Sequence, residues 1–361
     1  MFPPTIKIVG FHNAKYMKTA QLKKICLTLS KYVKFDAIRP ITDLVALVTK
    51  DNKLYLGHTD RDNATIIANI DCDVEIPYTV INLTNLIRVL KATTVEDVSF
   101  KRYKDYLQFK GNGTYKLHIQ LDENGNEFKL PITIPKSIGE KFTMNPLSLV
   151  CARNSKFLDT ENLPKEYGNY YCDDTYTVTT DSIVVAATKF NTHIKEMNPR
   201  MVTSMSVFEE PITIAECENG YRMKCDCYNA VYYTEKTNSY PVDTIMPFVT
   251  NTDDYASKIT FNRKDFIKSI SRQDIFKSVV GEQTLLLTFA DGCVRIENEQ
   301  ETFYEELSCD GNGNEIRLKV FTNSLLKILR LMGDDLTLFI STNKLRLQDS
   351  EGLYILAGEE F

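Results

Sequence analysis

Ser324-Leu-Leu-Lys-Ile-Leu-Arg330 repeats, residue class for residue class, the stretch Asn85-Leu-Ile-Arg-Val-Leu-Lys91, which lies 239 residues earlier. The similarity continues downstream at an offset of 238 residues, where apolar residues recur in the same order. The later copy has Leu336, Leu338, Leu345, Leu347, Leu353 and Ile355 where the earlier copy has Val98, Phe100, Leu107, Phe109, Tyr115 and Leu117. Both copies predict a short helix, at 83–91 and at 323–332, followed by strands of alternating apolar residues. Internal repetition of this kind predicts a fold built from similar units.

The repeat extends over most of the chain. Segment 18–34 has the apolar stripe of an amphipathic helix and no acidic residue, and segment 261–271 predicts the matching helix of the last third. The middle third is a weaker copy, with a hairpin predicted at 176–187 and a helix around 199–207. Because short links join the alternating strands, we predict antiparallel sheets with helices on one face, an α+β fold. The three predicted domains are residues 1–135, 136–252 and 253–361.

The composition is that of a soluble globular protein, with 43% hydrophobic residues, 25% charged residues and a net charge of −5. No apolar run approaches the ~20 residues of a membrane-spanning helix, and the first residues lack the order of a signal peptide, so we expect a cytoplasmic protein. Nine cysteines spread over a chain of this length argue against a disulfide framework. In the cluster of Cys217, Cys225 and Cys227, which lacks a Cys-x-x-Cys pair, we expect buried thiols and not a zinc site. No phosphate-binding loop or nucleophile elbow is present, and the four histidines lie far apart. We expect no enzymatic activity, no metal and no cofactor.

The predicted helices carry basic residues away from their apolar stripes. Arg88 and Lys91 recur as Lys327 and Arg330, and residues three apart share a helix face. The full set is Lys23, Lys24, Lys31, Arg88, Lys91, Arg153, Lys156, Arg200, Lys264, Lys268, Lys327 and Arg330. For any one helix a solvated face is the simpler interpretation, by about two to one. Recurrence on several helices of an acidic protein favours a positive surface that follows DNA phosphates. Aromatic residues are not interleaved with these lysines, which disfavours a platform for single-stranded DNA.

Over its whole length, the sequence resembles the β sliding clamp of bacterial DNA polymerase III, a ring-shaped processivity factor. The resemblance is clearest at 41–56 with 80–120, at 239–247 and from Ile259 onward. Within 239–247, Tyr240-Pro241 followed by Ile245-Met246-Pro247 is similar to the family's Phe-Pro and Val-Ile-Pro pattern.

The resemblance implies a DNA clamp fold of three repeated domains, each with antiparallel sheets outside and two helices inside. It also implies a head-to-tail homodimer ring that encircles double-stranded DNA without sequence specificity. The DNA polymerase and the clamp loader would bind through short peptide motifs, and no membrane is involved. At the joint between subunits, the resemblance places Tyr115 and Leu117 on one edge and Ile275 and Phe276 on the other. Ordinary core packing explains each of these four about equally well.

In the family, partner peptides bind a pocket between the second and third domains. The residues that the resemblance places there are Thr188, Phe190, Asn191, Thr192, His193, Pro241, Ile245, Tyr354, Ile355 and Leu356. Segment 187–193 keeps only the first two residues of the family's Ala-Thr-Asp-Gly-His-Arg-Leu, and 357–361 departs from its Met-Pro-Met-Arg-Leu ending. These departures suggest different peptides, and a dedicated polymerase and loader encoded by a virus such as a phage.

Two other interpretations stay open at this point. A monomeric polymerase accessory factor with the clamp fold would bind duplex DNA directly through the basic helices, with a steep salt dependence. An enzyme or a structural protein that reuses the repeat is the third interpretation, and a pocket holding several titratable groups would support the enzyme.

Overall fold

The chain forms two compact units. Unit 1 falls within Met1–Pro146 and Ser204–Lys236, and unit 2 within Leu147–Thr203 and Thr237–Phe361. The computed structural model describes residues 16–159, 161–234, 239–252, 255–273, 283–290, 292–298, 303–312, 315–334 and 336–360.

Seven α-helices lie in the described residues. They are α1 (Thr19–Tyr32), α2 (Leu83–Ala92), α3 (Ser148–Asn154), α4 (Pro199–Met205), α5 (Val242–Thr250), α6 (Arg263–Gln273) and α7 (Thr322–Leu331). The helices predicted at 18–34, 83–91, 261–271 and 323–332 are confirmed to within two residues at each end. None of the described helices combines the length and the apolar character needed to cross a membrane.

Unit 1 contains two sheets, and every strand pair in them is antiparallel. The smaller sheet has four strands in the order β1 (Met17–Lys18), β6 (Asp97–Arg102), β7 (Tyr106–Lys110) and β8 (Thr114–His118). The larger sheet has eight strands in the order β5 (Thr79–Asn82), β2 (Leu44–Lys50), β3 (Lys53–Thr59), β4 (Ala64–Asp71), β16 (Tyr228–Tyr233), β15 (Gly220–Cys225), β14 (Ile212–Cys217) and β9 (Ser137–Met144).

Unit 2 also contains two antiparallel sheets. The larger has nine strands in the order β13 (Glu196–Met197), β10 (Tyr170–Cys172), β11 (Tyr176–Thr180), β12 (Val184–Lys189), β25 (Gly352–Ala357), β24 (Lys344–Gln348), β23 (Thr337–Ile340), β17 (Ser257–Thr260) and β21 (Asp310–Asn312). The smaller has five strands in the order β20 (Tyr304–Ser308), β19 (Cys293–Asn298), β18 (Thr284–Ala290), β22 (Ile316–Phe321) and β26 (Glu359–Glu360).

The apolar stripes of the helices are buried, as their spacing predicts. In α1 the stripe of Leu22, Ile25, Cys26, Leu29 and Tyr32 is at most 1% exposed. Removing such side chains from water is the main stabilising contribution to folding, about 25 cal/mol for each Å² of apolar surface. Within unit 1, α1 packs against α2, and within unit 2, α6 packs against α7. Each pair therefore covers apolar surface with one side and presents the other side to solvent.

Two long-range strand pairs hold the larger sheets together. In unit 1, β4 pairs with β16, and in unit 2, β12 pairs with β25. Both pairs join segments that belong to different predicted domains, so each compact unit contains part of the predicted middle domain at 136–252. The division into three domains at 135 and 252 stays a prediction.

Candidate DNA-binding helices and peptide pocket

The helix pair of unit 1 exposes basic side chains next to its buried stripe. Lys31, Arg88 and Lys91 are exposed, and Lys23 is half-buried. These four side chains make no ion pair within 4.0 Å to any described residue. Neither α1 nor α2 contains an acidic residue, so no carboxylate of the same helix reduces their charge.

Lys24, the remaining predicted residue of α1, has an acidic neighbour. Its Nζ lies 2.8 Å from Oε2 of Glu209, and this hydrogen bond raises the pKa of Lys24. Both side chains line a cavity of about 210 Å³ together with Glu210 and Asp226. A hydrogen bond with the Asp226 carboxyl raises the pKa of Glu210. The acidic residues of this cavity offset the charge of Lys24.

The helix pair of unit 2 carries basic residues that have counter-ions on the same surface. Lys264 lies 3.7 Å from Asp334, which also pairs with Arg263 at 2.7 Å. Lys268 lies 3.5 Å from Asp265, one turn away on the same helix. The hydrogen bond from Arg263 and the charge of Lys264 lower the pKa of the Asp334 carboxyl.

The repeat residues of α7 have different surroundings although both were predicted to face DNA. Arg330 is exposed. Lys327 is half-buried, and its ammonium group lies 4.6 Å from the ring centroid of Phe157, a cation–π distance. Leu325, Leu326 and Leu329 on the opposite face are buried, as predicted.

Arg153 is not available to DNA, and the prediction that it binds phosphate is wrong. It is 4% exposed and donates two hydrogen bonds to the Asp349 carboxylate, at 3.1 and 3.0 Å. Its guanidinium also lies 5.1 Å from the ring centroid of Tyr354. The same carboxylate accepts from the backbone N–H groups of Gly333 and Gly352, each at 3.0 Å. This bidentate ion pair, whose carboxylate also accepts backbone hydrogen bonds, connects α3 to the turn between β24 and β25.

Two further predicted DNA residues are exposed. Lys156 lies in the short 3-10 helix that follows α3, and Arg200 lies in the first turn of α4.

An apolar cluster in unit 2 coincides with part of the predicted peptide pocket. Helix α5 lies on one face of strands β12 and β25, where Ile245 and Val249 pack against Val185, Leu353 and Ile355. The cluster is completed by Val178, Ala187 and Tyr240, with Tyr167, Tyr171, Tyr176, Val242 and Met246 partly buried at its margin. Tyr240 stacks on Tyr171 with ring centroids 5.4 Å apart. Of the predicted pocket residues, Ile245 and Ile355 lie in this cluster.

Three predicted pocket residues face the side of the sheet opposite to the α5 cluster, and their assignment to the pocket stays a prediction. Successive residues of a strand point to opposite faces, so Tyr354 and Leu356 lie in the core that contains Phe157, while Ile355 between them lies in the α5 cluster. Thr188 also points to the core side, where its hydroxyl donates a hydrogen bond to Oδ1 of the buried Asn154.

The remaining predicted pocket residues belong to the turn after β12 and to the start of α5. Phe190, Asn191 and Pro241 are half-buried, Thr192 is buried and His193 is exposed. His193 has a positive φ of 56°, and its backbone N–H donates to the Asn191 side chain at 2.8 Å. This hydrogen bond closes a tight turn at the end of β12.

The predicted subunit joint is described on one side only. Tyr115 is half-buried and Leu117 is 6% exposed, both on β8. Ile275 and Phe276 lie outside the described residues. Among the described strands, β8 pairs with β7 alone and β20 with β19 alone, so each has one unpaired edge.

Sequence reasoning missed the counter-ions and the pocket margin. Asp349, Glu209 and Asp334 set the environment of three predicted cations, but they lie far from them in sequence. The cluster of tyrosines beside Tyr240 carried a usable signal, because four aromatic residues fall within 167–176.

No group of three or more potential metal ligands occurs in the part of the chain that the structure describes. All nine cysteines are free thiols, and within the cluster Cys217 is buried as expected, whereas the expectation of burial is wrong for the half-buried Cys225 and Cys227.

Solved structures of sliding clamps match the chain along almost its entire length. DNA polymerase III subunit β from Pseudomonas aeruginosa superposes with a TM-score of 0.76 at 14% identity, covering 96% of this chain and 100% of that one. The β subunit from Thermotoga maritima gives a TM-score of 0.78 at 13% identity, with coverages of 96% and 100%. The β clamp of Helicobacter pylori, solved with a DNA ligase peptide, gives 0.73 at 16% identity, with coverages of 96% and 99%. No family model and no curated protein sequence matches the chain.

These likenesses define the class of fold. The chain has the sliding-clamp fold, divergent in sequence, with antiparallel sheets and few helices as predicted.

Proposed function

We propose that the protein is a DNA sliding clamp: a head-to-tail homodimer that encircles duplex DNA in the cytoplasm, without enzymatic activity of its own. The observation that carries the proposal is the likeness in fold to DNA polymerase III β subunits over 96% of the chain. The exposed cations of the helices support it. Basic side chains that contact phosphates without recognising bases suit a protein that slides along DNA. The DNA-contacting residues proposed are Lys23, Lys24, Lys31, Arg88, Lys91, Lys156, Arg200, Lys264, Lys268, Lys327 and Arg330.

The open edges of β8 and β20 support closure of the ring by strand pairing between two copies. Each strand has five residues. In an antiparallel pair with Lys116 opposite Glu306, every residue of β8 lies opposite a residue of β20. That register also places Tyr115 beside Leu307. By contrast, the edge strand β9 has a register shift opposite Ala215 and Glu216, a bulge that discourages further pairing.

The α5 cluster is the proposed docking point for polymerase and clamp-loader peptides. An apolar cluster that contains Ile245 and Ile355, with half-buried tyrosines at its margin, suits the aliphatic or aromatic side chains of a short motif. Segment 187–193, which includes Phe190, departs from the family's sequence pattern, as residues 357–361 also do, so the preferred motif differs from that of the family's usual partners.

Retention on circular DNA tests the encircling of duplex. Protein loaded onto a nicked circular plasmid should stay bound through gel filtration, and cutting the plasmid once should release it. A topological link, unlike an affinity contact, is lost at a free DNA end. Equal retention on circular and linear DNA would instead support a monomeric accessory factor, and a strict monomer at micromolar concentration would overturn the ring.

A charge exchange tests the proposed joint between copies. Lys116→Glu and Glu306→Lys should each weaken the dimer, because like charges then face each other across the strands. The double variant should restore it, as measured by light scattering. Lys50→Glu, at an exposed lysine at the end of β2, is the matched control and should leave the mass unchanged. Failure of the double variant to recover the dimer would exclude this register.

A further inference from the structure

The loop after α1 presents two large apolar side chains to solvent. Phe35 is 62% exposed and Ile38 is 89% exposed. A single exposed apolar residue is ordinary on a protein surface. Two exposed apolar residues on one short loop are less common, and contiguous exposed apolar surface often marks a binding site.

Hydrogen bonds hold this loop in one conformation. Thr42, only 3% exposed, accepts from the Asp36 backbone N–H at 2.8 Å and donates to the Arg39 carbonyl at 2.7 Å. The Asp36 carboxylate accepts from the Ile38 backbone N–H at 2.9 Å. Arg39 in turn pairs with Asp62 at 2.9 Å. The apolar side chains are therefore held outward in advance, which lowers the entropic cost of binding a partner.

Two exposed lysines lie close in sequence to the two apolar residues. Lys31 in the last turn of α1 and Lys34 directly before Phe35 are both exposed. Asp36, the acidic residue next to Phe35, lies 3.9 Å from Arg39, and Arg39 also pairs with Asp62 of the β3–β4 turn. The surface thus combines an aromatic ring with two lysines that form no ion pair within 4.0 Å among the described residues, and Lys31 also belongs to the proposed DNA-contacting residues of α1.

We infer that this loop binds the unpaired bases of single-stranded DNA, with Phe35 stacking on a base, Ile38 packing beside it, and Lys31 and Lys34 contacting phosphates. Aromatic rings beside cations form the usual platform for single strands, because every base has a π-face. The basic helices lack such interleaved aromatic residues, but the loop after α1 supplies one in Phe35. An apolar protein segment is the alternative occupant, but it gives no role to the two lysines. The inference rests on the proposed function only in placing α1 against DNA, and it gives the clamp a means of pausing where duplex meets single strand.

Binding of fluorescein-labelled oligothymidylate of about 16 nucleotides, followed by anisotropy with the full-length protein, tests the inference. Phe35→Ala should weaken binding by about tenfold, within the range measured for loss of one base–aromatic stack. Phe35→Tyr should bind as the wild type does, because it keeps the ring. Phe35→Leu should bind as weakly as Phe35→Ala, because it keeps apolar area without a π-face.

Leu121→Ala is the control, since Leu121 is another exposed apolar residue, at 47%, and has no aromatic ring, so this change should leave oligothymidylate binding unaltered. Wild-type affinity in Phe35→Ala or in Phe35→Leu would overturn the inference, the latter because it would show that binding needs no aromatic ring. Retention of Phe35→Ala on nicked circular duplex should equal that of the wild type. A wild type that is not retained on circles but binds oligothymidylate through Phe35 would refute the ring and leave this site standing.

Discussion

The helix pairs of the two units carry similar numbers of basic residues in different electrostatic surroundings. On α1 and α2, Lys31, Arg88 and Lys91 project without an ion pair to any described residue. On α6, Lys264 and Lys268 lie within 4.0 Å of carboxylates. A repeated sequence pattern has thus conserved the position of the cations but not their availability. Elements that pack around the repeat, rather than the repeat itself, decide which cations can reach a phosphate.

The largest effect is expected where a cation of unit 2 has become structural. Arg153→Ala leaves the Asp349 carboxylate buried without its bidentate partner, which should lower the free energy of unfolding by about 3–5 kcal/mol. Arg88→Ala, at an exposed position of unit 1, should change it by less than about 0.5 kcal/mol. Urea denaturation followed by circular dichroism measures both. Equal urea midpoints for the two variants would contradict the buried role of Arg153.

Salt dependence of DNA binding compares the two helix pairs directly. Each phosphate contact contributes about 0.9 to the slope of log affinity against log salt. Arg88→Ala with Lys91→Ala should therefore lower the slope by about 1.8. Lys264→Ala with Lys268→Ala should lower it by less than about 1, because these lysines must first give up Asp334 and Asp265.

Anisotropy on a short duplex, recorded between about 50 and 200 mM salt, gives both slopes. Lys50→Ala, on a strand end, serves as the control for loss of charge alone. Equal changes of slope in the two double variants would show that the surface ion pairs of unit 2 do not limit its contact with DNA.

The smallest expected effect is the contribution of the Asp334 carboxylate, which pairs with Arg263 and Lys264, to the stability of the fold. Because Arg263 lowers the pKa of Asp334 from its ordinary value of 3.8, the ionised carboxylate favours the folded state. That contribution is present above the unfolded-state pKa and is lost as the pH falls below 3.8, through the lowered folded-state pKa. The difference in urea midpoint between wild type and Asp334→Asn should be constant from about pH 7 to 5 and vanish in stronger acid. A difference that persists at the lowest pH would place the effect in packing.

Periodicity predicted the parts of the fold that depend on burial. The stripe of α1 and the leucines of α7 were located correctly, because a helix can bury only residues that recur every three or four positions. The alternation of side chains between the two faces of a strand could also be read from the sequence. Applied to 353–356, it separates Ile355 from Tyr354 and Leu356, which the resemblance alone had placed in one pocket.

Whether each basic side chain is free or contacts a carboxylate or an aromatic ring could not be predicted in the same way. Asp349 lies 196 residues after Arg153, so no local pattern connects the two. Lys327 differs from its repeat partner Arg88 because Phe157 packs beneath it. Such neighbours follow from tertiary packing and not from the sequence of the helix that carries the charge.

The pairing of β12 with β25 also has a consequence for how the chain folds. Roughly 170 residues separate the two strands, so closing this loop costs entropy before the pair forms. At ~5–20 residues per second, β12 waits roughly 10–30 s on the ribosome before its partner strand has been synthesised. During that interval Val184 and its neighbours form an uncovered sheet edge. Unit 2 therefore acquires its long sheet late, and a nascent chain halted before β25 is exposed to strand-mediated aggregation.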